Sequence, residues 1–282
     1  GGYYDPADDT LNVRYFHMKQ RFGVDPQFPI RRYVDGLTSA KVPNRDGEHP
    51  ADGDGSYVGD KNCDNPLFAA ELPDPGGDTC HLKRGTRTGG NVVFMVIGGV
   101  PNELLHYDPS GDAAANQLGA SDWVKILGTS PETYDYSGID PHMIQSIAPR
   151  AGLPDPTAVD TADPIHGREW DTRTNQALDL QYACTFPLPA QMNCKDPKFS
   201  NTCDCDGSAT MPLCATNPAD GNRKSIQTRG KAYPTVRELM VARALGARGV
   251  VGSICPIHVQ EQGAGDPLYG YRPAMRKLVE KL

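Results

Sequence analysis

Two stretches of the chain are apolar almost without interruption: Asn91-Val-Val-Phe-Met-Val-Ile-Gly98 and Gly249-Val-Val-Gly-Ser-Ile-Cys255. Neither alternates apolar with polar positions. Each therefore predicts a strand covered on both faces, as in a parallel sheet with helices on either side. Helical spacing surrounds them. Pro29 to Leu37 predicts a helix, with Pro29 in the first turn and Ile30, Tyr33, Val34 and Leu37 on one face. Pro234 to Leu245 predicts another, with Val236, Leu239, Met240 and Leu245 apolar and Gly246 near the stop. Pro273 to Leu282 closes the chain as a third, with Met275, Leu278, Val279 and Leu282 on one side, and Ser121 to Leu127 forms a short one with Ser121 as N-cap. Between Val13 and His17, alternation of Val13, Tyr15 and His17 with Arg14 and Phe16 predicts an edge strand.

The remaining sequence carries little periodicity. Residues 41–90 and 102–230 are rich in Asp-Gly and Asp-Pro turn chemistry. The pattern predicts one α/β domain over residues 1–282, with its core in 10–40, 91–101 and 231–282 and loop-rich insertions at 41–90 and 102–230. Alternation of helices with two-sided strands predicts a doubly wound, mostly parallel sheet.

Eight cysteines change this picture: Cys63, Cys80, Cys184, Cys194, Cys203, Cys205, Cys214 and Cys255. Most lie in loop-like sequence, where a cross-link removes entropy from the unfolded chain. Their spacing suits zinc poorly, since the closest pair is the Cys-x-Cys of Cys203 and Cys205. Disulfides are the expected state, with metal ligation or free thiols as the alternative. The expected pairs are Cys63 with Cys80 and Cys184 with Cys255, leaving Cys194, Cys203, Cys205 and Cys214 to pair among themselves. Disulfides imply a secreted or periplasmic protein. The opening Gly-Gly-Tyr-Tyr-Asp-Pro is not a signal peptide. Any export signal or outer-membrane anchor would lie in a missing N-terminal region. A net charge of −7 with scattered basic residues argues against nucleic acid as a partner, and no apolar run is long enough for a transmembrane segment.

Val92-Val-Phe-Met-Val-Ile-Gly-Gly-Val-Pro101, then Leu245-Gly-Ala-Arg-Gly-Val-Val-Gly-Ser-Ile-Cys255 followed by Tyr271-Arg-Pro-Ala-Met-Arg-Lys-Leu-Val, resemble two strands and the last helix of von Willebrand factor A-type domains. The chain is similar in look to exported, often lipoprotein-like, proteins of deltaproteobacteria that carry such a domain. The family's metal-ion-dependent adhesion site begins with Asp-x-Ser-x-Ser, which has no counterpart here, and its later Asp falls near Gly98 or Gly99. The resemblance therefore implies a degenerate scaffold, or a piece of a larger protein whose first strand is missing.

Candidate chemistry is sparse. Asp52, Asp54 and Asp60 have the composition of a calcium loop, or of an ordinary acidic turn. Asp204 and Asp206 offer the same choice between two cysteines. No cofactor other than calcium is expected. Asp163-Pro-Ile-His166-Gly-Arg168-Glu169-Trp170-Asp171 is the densest polar cluster. It could supply acid/base or metal-ligating groups, or be structural, with Arg168 paired to a carboxylate and Trp170 packed. Its Pro and Gly make it a loop, so no helical face brings His166 to Glu169. His142, after Asp140-Pro, and His258, after the last strand, are further candidates. The signatures Gly-x-Ser-x-Gly, His-Glu-x-x-His and the phosphate loop are absent. The expected function is an exported binding or structural domain. Its partner would be a protein, a cell-surface ligand, or a larger precursor or complex that supplies a strand. The alternative is a secreted metal-dependent or acid/base hydrolase using His166, Glu169, Asp171 and His142.

Overall fold

A computed structural model describes residues 11–49, 57–107, 117–172, 179–199, 202–205, 211–216 and 223–282. In chain order its elements are α1 (Leu11–Phe22), α2 (Ile30–Thr38), β1 (Lys41–Val42), β2 (Cys63–Asp64), β3 (Phe94–Gly98), α3 (Ala120–Leu127), β4 (Cys184–Asn193), β5 (Cys214–Thr216), β6 (Arg223–Ala232), α4 (Val236–Ala244), β7 (Gly249–Ser253) and α5 (Arg272–Val279).

The two apolar runs are sheet neighbours. β3 and β7 pair in parallel, from Phe94 opposite Gly249 to Gly98 opposite Ser253. Their side chains alternate between two faces. Val96 and Val251 share one face and pack with Val236, Leu239 and Met240 of α4. Gly252 points the other way, where a Cβ would lie 2.4 Å from the Cβ of Ala274 in α5. The pair is thus covered on both sides, as its unbroken apolar sequence requires. The architecture is mixed α/β, but among the described residues the parallel sheet has two strands rather than the width of a doubly wound sheet.

The long insertion helps build the core. Leu105, Ile126, Leu127, Met143 and Ala183 join the same buried cluster as Val96, Leu239 and Val251. Leu105, Ile126, Leu127 and Met143 are fully buried, each worth roughly 1.5–3 kcal/mol over exposure. The insertion also carries an antiparallel sheet of order β4-β6-β5. Its strands do not announce themselves. β4 contains Pro187 and Pro189 and shifts register between Pro187 and Met192, while β6 is mostly polar.

Two local expectations are corrected. Val13–His17 is not a strand but part of α1. Val13 and His17, four residues apart, are both buried while Tyr15 is exposed, which is a helical pattern that five residues could not separate from alternation. The N-cap of α3 is Gly119 rather than Ser121, and the Asp122 carboxylate accepts the Gly119 N–H at 2.9 Å.

All eight cysteines are paired: Cys63–Cys80, Cys184–Cys255, Cys194–Cys203 and Cys205–Cys214. Cys63–Cys80 ties β2 of the small β1–β2 sheet to the loop that follows it, and two bonds brace the antiparallel sheet. Cys184–Cys255 ties the start of β4 to the chain just beyond β7, so it links the two main sheets. Among the described residues no helix is long and apolar enough to cross a membrane.

Candidate functional site

The polar cluster foreseen at residues 163–171 is joined in space by residues 140–150. Two Asp-Pro turns build it. Asp140 precedes a short turn over Pro141–Met143, and its Oδ1 accepts both the His142 backbone N–H, at 2.9 Å, and a contact from His142 Nδ1, at 2.8 Å. Asp163, which precedes Pro164, repeats the device. Its Oδ1 accepts the N–H groups of Ile165 and His166 and faces His166 Nδ1 at 3.0 Å. Its Oδ2 faces His142 Nε2 at 3.2 Å. Gly167, at φ +86°, reverses the chain so that Asp163 and Gly167 exchange backbone hydrogen bonds. That reversal brings His166 Nε2 to Glu169 Oε1 at 2.7 Å. The expectation that a loop would keep these two apart is therefore wrong: a tight turn does what a helical face would have done.

Arg150 closes the chain of contacts. Its guanidinium grips Glu169 through Nε and Nη2, the latter at 2.6 Å, and its own backbone N–H donates to Glu169 Oε2 at 2.9 Å. The remaining donors reach the carbonyls of His142, Ile144 and Tyr182. The sequence Asp140–His142–Asp163–His166–Glu169–Arg150 thus alternates acidic and basic groups. Each ring nitrogen of His142 and His166 faces a carboxylate oxygen, so the three carboxylates and the two imidazoles are held in one continuous run of polar contacts.

Burial makes the balance matter. His166 and Glu169 are 0% exposed, and His142 and Arg150 are buried. Burial pushes the Asp163 carboxyl up, but the hydrogen bonds from the His166 ring and backbone, the His142 charge and the Ile165 N–H outweigh it and hold it at about 2. Glu169 likewise lies below the ordinary carboxylate range, because His166 and Arg150 overcome its desolvation. Asp140 is also held low, where His142 prevails over burial.

The other expected groups fall as follows. Asp171 is exposed, unlike His142, His166 and Glu169. Arg168 pairs with Asp160 at 2.9 Å, and Trp170 is buried and stacked on Tyr182, which is the structural arrangement considered for both. His258, beyond the end of β7, faces Asp266 through Nδ1 at 2.7 Å. Asp52, Asp54 and Asp206 lie outside the described residues, and Asp60 is exposed. Asp204 receives Lys231 Nζ at 2.8 Å and so belongs to an ion pair. Asp140, Asp163 and Arg150 were not singled out as site residues. The repeated Asp-Pro before a nearby histidine was the available signal for the first two. Arg150 is 19 positions from Glu169, and nothing in the sequence connects them.

His142, Asp163 and His166 each offer one nitrogen or oxygen within 4.8 Å of the others, so they could hold a metal ion. No protein-family model matches the chain, and no curated protein or solved structure shows significant similarity to it.

Proposed function

We propose that this chain is an exported domain that binds or braces another molecule outside the cytoplasm, and that its His–carboxylate network is an internal clasp rather than an acid/base centre. One observation carries the second half. Every ring nitrogen of His142 and His166 already faces a carboxylate, and His166 and Glu169 are fully buried. A general acid or base must come within about 3 Å of the substrate proton. Here the buried pair meets protein on its reactive edges. The rival hydrolase reading needs His166 or Glu169 to be approachable.

Four disulfides support a secreted or periplasmic setting, where such bonds persist. A degenerate von Willebrand factor A-like scaffold is supported by the parallel pairing of the two segments that carry that resemblance, with α4 and α5 on opposite faces. Open α/β sheets bind ligands at the carboxyl ends of their strands. At that end the exposed Ile257 and Tyr271 offer contact area for a macromolecular partner.

The test uses the oxidised, tagged chain. Cross-linking to extracellular material should recover a partner that Ile257→Asp and Tyr271→Asp both lose. A hydrolase panel runs in parallel on wild type and Glu169→Gln. Turnover by wild type that disappears in a folded Glu169→Gln variant would overturn the clasp reading.

A further inference from the structure

The geometry points to a binding site for one divalent transition-metal ion of the zinc class, formed by His142 Nε2, the Asp163 carboxylate and His166 Nδ1. The inference rests on the reading of this network as a clasp, and adds what the clasp can close upon.

The three groups converge closely enough for one ion. Tetrahedral zinc with bonds near 2.1 Å sets its ligand atoms about 3.4 Å apart. His142 Nε2 lies 3.2 Å from Asp163 Oδ2 and His166 Nδ1 lies 3.0 Å from Asp163 Oδ1, so the rings reach the two oxygens of one carboxylate, and one ligand atom from each of the three residues lies within 4.8 Å of the others. The rings stand nearly perpendicular, at 84°, with centroids 4.8 Å apart.

The surroundings are those a metal histidine needs. A ligating imidazole donates its second N–H to a carboxylate or carbonyl, which fixes the tautomer and the ring. Asp140 stands behind His142 Nδ1, and Glu169 stands behind His166 Nε2. Arg150 in turn fixes Glu169, and the amides of Ile165 and His166 fix Asp163. Both histidines thus have their rear nitrogen held and their front nitrogen directed at one carboxylate.

The donor set selects the class of ion. Two imidazole nitrogens and one carboxylate suit zinc, cobalt or nickel, whereas calcium takes six to eight oxygens. Asp140 and Asp163 retain side-chain exposure of 27% and 13%, so the approach is from their side, and water would complete the coordination.

The experiment is equilibrium dialysis of the full oxidised chain against micromolar zinc, with metal analysis, followed by the visible spectrum of the cobalt(II) form. One equivalent should bind, and cobalt should give the d–d bands of a four- or five-coordinate ion without a thiolate band. His142→Gln and His166→Gln should each lower zinc affinity by at least about 100-fold, and Asp140→Asn, behind the ligand, by about 10–100-fold. The cobalt spectrum of wild type stands even if a variant fails to fold. Wild type that binds no zinc, or zinc that remains bound in folded variants of both histidines, overturns the site. Neither result touches the clasp, whose failure would appear instead as an Arg150 variant of unchanged stability.

Discussion

Replacing Arg150 by Met keeps much of the side-chain volume and removes a charge and five donors. Glu169 then retains His166 and one backbone N–H but loses its guanidinium partner at full burial. Removing one member of a buried ion pair costs about 3–5 kcal/mol, because the other charge stays desolvated. The carbonyls of His142, Ile144 and Tyr182 also lose donors, adding on the order of 1 kcal/mol where no water replaces them. The expected loss is therefore about 4–6 kcal/mol, a large part of the 5–15 kcal/mol typical of a folded domain. Urea unfolding followed by circular dichroism, with the disulfides intact, measures it. Arg150→Lys should rescue poorly, because three donors on a flexible stem cannot reproduce a planar fork. A loss below about 1 kcal/mol, the value of an exposed pair, would refute the reasoning.

Three further outcomes are expected. Cys184–Cys255 spans 71 positions and Cys205–Cys214 spans 9, so loop-closure entropy predicts about 4.4 kcal/mol lost when the first pair is replaced by alanines and about 2.6 for the second; equal losses would show that loop length does not govern these bonds. Asp163 is held at about 2 against an ordinary 3.8; its lowered value stabilises the fold above pH 4, and that contribution, on the order of 2 kcal/mol, should fade as pH falls from about 4 to 2, a slope that unfolding curves of Asp163→Asn should lack. Gly252→Ala would set its Cβ 2.4 Å from that of Ala274, costing about 1–3 kcal/mol by overpacking, and Ala274→Gly in the same chain should recover part of it if α5 lies where described.

Much of the frame was legible because burial leaves a mark on sequence. β3 and β7 are covered on both sides and read as unbroken apolar runs, and α2, α4 and α5 each have a proline in or next to the first turn. The apolar side expected of α5 is not its buried one: Met275, Val279 and Leu282 are exposed, and Pro273, Ala274 and Lys277 are buried. The antiparallel sheet was hidden for the opposite reason. β6 is mostly polar, Cys184, Phe186 and Ala232 at one end of β4 and β6 supply their share of an apolar cluster, and Pro187 and Pro189 argue locally against a strand. At the site, His166 and Glu169 were visible as a dense polar cluster. Their coupling depends on one glycine at positive φ and on an arginine held by tertiary contacts, neither of which has a local signature.

Native-state hydrogen exchange tests the clasp most directly. The amides of Arg150, His166, Glu169 and Gln181 donate to Glu169 Oε2, Asp163 Oδ1, Pro154 O and Ser146 O, all within the segment the network ties together. If that network is a structural clasp, these four amides exchange only through global unfolding, with the same free energy and denaturant dependence as the amides of β7. Rapid, denaturant-independent exchange at Arg150 and His166, while β7 stays protected, would show an open and locally mobile site and would contradict the account.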